Sequence, residues 1–434
     1  MPTAVLVPIK ETKNSTAFYH VFLLAVELVL VLTFLSLSVF IFFFCLEVIL
    51  LLTYLLLYYW GSRLRKIRSS FYLLIFTILG SSLLLTGILF LLQIAGSTDL
   101  TLLDNFHFSV DQQKLLAFLF AAGSGIKLPA FPLAIWLPEA HTEASTPGSV
   151  VLAGISLKLG IYGLVRFTLT LFPIGIQWLS PLIFLITPFG CVTASVNCLR
   201  QYDLKKIIAY SSVGHMGFGI ASLHTLNIWG LMGCIVTAAA HCLGSSALFL
   251  LAGFAYGRTH SRNLFSSQTL SNCYPAFSTF LFILILANLS FPGTLNFIGE
   301  LLGIISLASV DFSLTALFPL NVLLTACYSL FLYERICFGK FMVRKTKLSK
   351  LLTKPFYLNS QMLVSNLRSR RKNRFVLYLL WKIISRNPIN YRQLLNAYYE
   401  ISFMLVNFKD LTRFDLWLSF IFVDLIILVG FKYI

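Results

Sequence analysis

The chain repeatedly presents apolar stretches of the ~20 residues a helix needs to cross a bilayer, Phe71–Leu92 among them. Lipid offers no partner to backbone N–H and C=O groups, so spanning segments must be helices or a closed barrel. Phe71–Leu92 and the run Val376–Leu380 lack the alternation of a barrel strand. An all-α polytopic membrane fold follows. Composition agrees: charged residues are 11%, hydrophobic residues 58% and mean hydropathy +0.85, where a soluble domain carries about 25% charged residues. The first span is not expected to be a signal peptide, because it lacks a small-residue cleavage site and a second span follows directly.

Apolar windows with polar breaks predict about eleven transmembrane helices, near 18–36, 38–60, 71–92, 113–133, 148–170, 181–198, 207–224, 230–256, 276–306, 315–337 and 412–432. That count places three basic loops on one side: Arg63, Arg65, Lys66 and Arg68; the loop around Arg200–Lys206; and Arg258–Arg262. The long loop after residue 338 joins them, while the loop at 93–112 carries Asp99, Asp104 and Asp111. Positive loops stay on the cytoplasmic or matrix face, which is the basic face of this chain.

Most of the net charge of +17 comes from one segment. Between Arg335 and Tyr399 there are 15 Lys/Arg and no acid, leaving 18 basic against 16 acidic residues elsewhere. Such a segment is drawn to anionic headgroups by about 1 kcal/mol per charge or contacts neighbouring subunits; nucleic-acid binding is not expected. Phe375–Ile384 within it is too short to span and reads as an interfacial helix. The expected organisation is a short basic-face segment over 1–16, a transmembrane core over 17–338, a basic loop over 339–410 and a final helix over 411–434.

Eight cysteines show no Cys-x-x-Cys spacing and mostly sit in apolar segments. No disulfide framework, zinc site or iron–sulfur site is expected. A P-loop and a Gly-x-Gly-x-x-Gly strand–helix motif are also missing, so no bound nucleotide is expected.

Four charges stand where lipid would surround them. Glu47 is flanked by Phe42, Phe43, Phe44 and Leu46; Lys127 ends an apolar run; Lys158 sits mid-span; Glu300 follows Phe291-Pro292-Gly293 in a long apolar stretch. A charge at the bilayer centre costs about 3 kcal/mol or more, so such residues face a bundle interior or a water path. The plain alternative for each is a snorkelling or structurally paired side chain, most natural for Lys127 near the basic face. Pro129 and Pro132 beside Lys127, and Pro292 before Glu300, interrupt helices and free carbonyls inside the membrane. Paired broken helices in two halves of a chain mark inverted-repeat transporters. Buried lysine and glutamate shift toward neutrality and exchange protons near neutral pH. His215 and His241 lie in apolar helices between them; each bridges the path or is an ordinary satisfied core histidine.

At these residues the chain resembles the antiporter-like subunits of respiratory complex I. The strings are Trp136-Leu-Pro-Glu-Ala-His-Thr-Glu-Ala, Leu157-Lys-Leu-Gly-Ile-Tyr-Gly, Leu199-Arg-Gln-Tyr-Asp-Leu-Lys-Lys-Ile-Ile-Ala-Tyr-Ser-Ser-Val-Gly-His-Met, Tyr256-Gly-Arg-Thr-His-Ser-Arg and Asn296-Phe-Ile-Gly-Glu. The Arg-Thr-His-Ser-Arg string points to the subunit 4 branch of that family. The resemblance is strong over 40–340 and weak over 405–434. It implies that Glu47 pairs with Lys127 of the first broken helix, that Lys158 is the central lysine, and that Glu300 is the acid of the second broken helix. His215 and His241 match histidines along the same midplane axis. It further implies no cofactor in this chain, with FMN, iron–sulfur clusters and ubiquinone in other subunits. The expected partners are other membrane-arm subunits, especially the antiporter-like subunits 2 and 5, and membrane lipids. The expected location is the mitochondrial inner membrane.

The family normally has three more helices before Leu23–Val39, and a shorter loop between its last two helices. Glu27, in the first span, has no counterpart. A separate chain is therefore expected to cover that side of the bundle. The competing functions are an Mrp-type cation/proton antiporter subunit and a non-conducting scaffold of the membrane arm. A ligand receptor would need an exposed binding loop, and the outer loops are short.

Overall fold

The computed structural model describes residues 16–264, 274–310 and 315–338. Besides a single turn at Leu100–Leu103, twelve helices carry these residues: α1 (Thr16–Leu35), α2 (Val39–Trp60), α3 (Lys66–Ala95), α4 (Val110–Lys127), α5 (Trp136–Glu143), α6 (Thr146–Leu169), α7 (Pro173–Arg200), α8 (Leu204–Leu223), α9 (Ile228–Thr259), α10 (Pro275–Asn288), α11 (Leu295–Ala308) and α12 (Leu317–Cys337). The described residues form no sheet, only two isolated bridges, Ser38 to Asp99 and Asp203 to Asn263.

Seven of the helices (α1, α2, α3, α6, α7, α9 and α12) are by themselves long and apolar enough to cross a membrane. The difference from eleven has physical causes. Helices α4 and α8 carry charge, with Asp111, Lys114 and Lys127 on the first and Lys205 and Lys206 opening the second. Residues 276–306, expected as one helix, are two: α10 and α11 hold 14 residues each, about 21 Å apiece against a ~30 Å core. The chain reverses local handedness between them, with φ of 59° at Ser290 and 93° at Gly293. Only glycine takes the latter without penalty. The predicted helix over 113–133 likewise stops at Lys127, and a short 3₁₀ turn, Leu133–Ile135, leads into α5. The expected span 412–432 and most of the basic loop lie outside the described residues.

Polar side chains fix the helix starts. Ser109 and Gln112 form a reciprocal capping box on α4, Ser145 accepts from the Gly148 amide on α6, and Thr294 accepts from the Phe297 amide on α11. Connectivity then sets the sides. The loops after α2, α5, α7 and α9 meet at the basic face, where the Ser62 amide donates to the Glu143 carbonyl and the Leu204 amide to the Arg262 carbonyl. Helix α6 is unusual: the segment Lys158–Gly163 is α-helical, but Leu152–Ser156 before it and Leu164–Leu169 after it are wide π turns. Such turns concentrate at functional sites.

Lipid tails are as apolar as leucine, so helices in a membrane associate by close packing of small residues rather than by the hydrophobic effect. The α9–α11 contact shows this. A Cβ on Gly233 would stand 2.8 Å from the Gly303 amide nitrogen, and one on Gly299 would stand 2.6 Å from Thr237 Cγ2. Outward, α1 presents Val21, Leu24, Leu28 and Val31.

Candidate functional site

Lys158, on the α-helical segment between the two π turns, reaches across to α9. Its Nζ donates to the Ala153 carbonyl at 2.7 Å and lies 2.8 Å from His241 Nδ1. The π geometry leaves the Ala153 carbonyl, five residues back, as the lysine's second partner. His241 is 1% exposed. With the ammonium donating to Nδ1, its neutral ring carries the proton on Nε2, and that atom is buried without a partner.

The His215 ring, on α8, stands 5.8 Å from the His241 ring, centroid to centroid, tilted by 49°. His215 Nδ1 meets Glu300 Oε1 at 2.9 Å, and its Nε2 is also buried and unpartnered. Glu300 is buried on α11, in the second turn after the Phe291–Thr294 break. Thus α6, α9, α8 and α11 bring Lys158, His241, His215 and Glu300 into one file, with two direct polar contacts and one gap between imidazoles.

Lys127 ends α4 where the first break begins, half-buried, and lines two small cavities of about 10 and 40 Å³. The larger has room for a water. Glu47, half-buried on α2, acts on Lys127 through its charge, but no ion pair within 4.0 Å joins them, and Glu47 Oε1 is buried without a hydrogen bond. Pro129 and Pro132 fall in the segment between α4 and the 3₁₀ turn, and Pro292 between α10 and α11. Glu27 is half-buried on α1.

Sequence reasoning missed a second group on the basic side. His141 on α5 is fully buried, stacked on Phe249 with centroids 4.7 Å apart and both ring nitrogens unpartnered. The charges of Lys205 and Lys158 both reach it. Lys205 is buried and donates to the Ala144 carbonyl at 2.9 Å. Next to it, Arg262 gathers three segments: its Nη1 donates to the Thr142 carbonyl and lies 3.8 Å from Glu143 Oε1, and its Nη2 donates to Ser62 Oγ. Burial pushes the Arg262 guanidinium down from its ordinary value, and Glu143 opposes the shift. Lys206 pairs with Glu139 at 2.6 Å. These residues sit in the quoted strings but between spans, where charges are unremarkable.

No three His, Cys, Asp or Glu side chains converge as a metal site among the described residues. The arrangement instead suits proton movement: each imidazole can take a proton at one nitrogen and release it from the other, and the lysine and the carboxylate can each hold or give up one.

Residues 36–325 match the family model described as NADH:quinone oxidoreductase/Mrp antiporter, TM. The chain belongs to this antiporter family. Within it, NADH-ubiquinone oxidoreductase chain 4 of Chondrus crispus is 40% identical over 321 residues, 74% of this chain and 65% of the relative. The chain therefore spans just under two thirds of that relative's length. A chain of respiratory complex I from Thermus thermophilus superposes with a TM-score of 0.72 at 25% identity, covering 75% of this chain and 70% of that one. A chain of the Mrp complex from Dietzia shares the fold, with a TM-score of 0.69 at 21% identity over 75% of this chain and 61% of its own length. The family and the helical membrane fold thus agree with the reading of the strings, and the named relative falls in the branch to which Arg-Thr-His-Ser-Arg points.

Proposed function

We propose that the chain is a proton-translocating subunit of the membrane arm of a mitochondrial NADH:ubiquinone oxidoreductase, working in the inner membrane beside other antiporter-like subunits such as subunits 2 and 5. The observation that carries the reading is the file Lys158–His241–His215–Glu300. A proton held on Lys158 Nζ passes to His241 Nδ1, and His241 gives up the proton on Nε2. One water across the gap delivers it to His215 Nε2, and His215 Nδ1 releases a proton to the Glu300 carboxylate. One passage leaves His241 protonated on Nδ1 and His215 on Nε2, so both rings reset their tautomers, and Glu300 releases its proton, before the next proton follows.

Glu47 and Lys127 serve as the control element of the same file. Apart, as here, Lys127 is poorly compensated and repels a proton arriving at Lys158. Together, they neutralise each other and let Lys158 charge. Redox chemistry in other subunits would drive the alternation, and this chain performs none. In an Mrp-type antiporter the same file would serve cation exchange; the 40% identity to a chain 4 favours the oxidoreductase.

The test is purification in mild detergent with mass spectrometry of the co-purifying chains, followed by proton pumping of the assembled complex bearing Lys158→Met. Co-purification with NADH dehydrogenase subunits and lost pumping are expected. Assembly with cation-antiporter subunits alone, or undiminished pumping in the variant, would overturn the reading.

A further inference from the structure

The two breaks are built alike. In a continuing α4 the Pro129 nitrogen would serve the Gly125 carbonyl, but proline has no N–H to give. The Ala130 amide reaches five residues back to Gly125 instead, at 3.0 Å. That slip passes over the Ile126 carbonyl, and the Trp136 indole at the start of α5 donates to it from Nε1 at 3.2 Å. The second break repeats the pattern. The Phe291 amide reaches five residues back to the Leu286 carbonyl at 3.1 Å. The next carbonyl, that of Ala287, accepts from Asn296 Nδ2 at 2.9 Å, beside a longer bond of 3.3 Å from the Ser290 amide. In both breaks a side chain that opens the following helix grips a carbonyl in the last turn of the preceding one.

Both gripping side chains are buried, Trp136 at 4% and Asn296 at 5% exposed. A carbonyl freed inside a membrane protein is costly until something donates to it, so neither bond is an ornament of the surface. Their places relative to the charges give them meaning. Ile126 directly precedes Lys127, so the indole holds the end of α4 that carries the ammonium. Trp136 also walls the cavity of about 40 Å³ that Lys127 lines, and so shapes the space around it. Asn296 lies one turn before Glu300 on the same face of α11. Its carboxamide therefore anchors the helix that brings Glu300 to His215. The charge stands on the near half of one break and on the far half of the other.

We propose that Trp136 and Asn296 are positioning residues that latch the two broken helices, the indole setting Lys127 and the carboxamide setting Glu300. The proposal rests on Lys127 and Glu300 serving the proton path. Each latch keeps its break closed on a backbone carbonyl, so that the charge beside it keeps one distance from its partners.

The test uses the assembled complex. Trp136→Phe keeps an aromatic ring and removes the N–H; Asn296→Leu keeps the branched shape and removes the donor. Backbone deuterium exchange in Trp136→Phe is expected to quicken several-fold over 126–136 and to stay as in wild type over 287–296. Asn296→Leu should show the reverse. In both, turnover per assembled complex should fall several-fold and its pH profile should shift, because the surroundings of Lys127 or Glu300 change. Faster exchange with an unmoved pH profile marks a merely structural bond and overturns the proposal, as does unaltered exchange. Should Asn296→Leu fail to assemble, Trp136→Phe decides alone. Lys158→Met in the same assay separates the two readings. Lowered pumping there, with both latch variants behaving as wild type, overturns the latches and leaves the proposed function standing. Undiminished pumping there overturns the function, and the exchange of the two breaks still reports on the latches.

Discussion

The Lys158 ammonium and His241 Nδ1 lie 2.8 Å apart, although 83 residues separate them in the chain. The contact makes the lysine both the donor to the file and the group that fixes the histidine's tautomer. Methionine preserves the length of the side chain and removes the proton, so Lys158→Met is expected to fold and assemble. Its coupled turnover should fall by up to about 100-fold, the scale of a lost proton-transfer group. Reconstituted proton pumping alongside native-gel assembly measures both.

Glu300 has two separable roles, as a proton acceptor and as the partner of His215. Glu300→Gln keeps an oxygen in place to accept from His215 Nδ1, so the complex should assemble while pumping fails. Glu300→Ala leaves a buried imidazole unpartnered and should also destabilise by about 1–3 kcal/mol. Thermal denaturation of the purified complex would separate the variants; identical melting in both would count against a structural contribution from the pair.

For Glu47, charge matters more than contact, because its carboxylate acts on Lys127 without an ion pair. Glu47→Asp should retain most activity. Glu47→Gln removes the charge that acts on Lys127 and should impair turnover far more. Equal rates in the two variants would exclude a charge-controlled element.

Arg262 is a fork rather than a point charge. One nitrogen serves the Thr142 carbonyl and faces Glu143, and another serves Ser62 Oγ. Lysine cannot occupy these places at once. Arg262→Lys is therefore expected to lower the yield of assembled complex and its melting temperature, while the turnover of the complex that does assemble changes less. Native-gel yield and turnover per complex provide the comparison.

The sequence disclosed the charges that lipid cannot tolerate. Glu47, Lys127, Lys158 and Glu300 stand out because their neighbours are apolar. The resemblance paired Glu47 with Lys127 and set both histidines on the axis, but which histidine meets which charge was not legible. Only the packing of α6 on α9 and of α8 on α11 decides that Lys158 meets His241 and Glu300 meets His215. Prolines marked the two breaks, but Pro292 did not reveal that the stretch 276–306 becomes two helices of 14 residues. His141, Lys205 and Arg262 escaped for the opposite reason: they sit between spans, where charges are common, and only burial distinguishes them.

The two π turns of α6 give Lys158 a placement that an ordinary helix would deny it. Each widens the ladder by one residue, one below and one above the segment Lys158–Gly163, and the register that results is what sets the amine against the Ala153 carbonyl and His241 together.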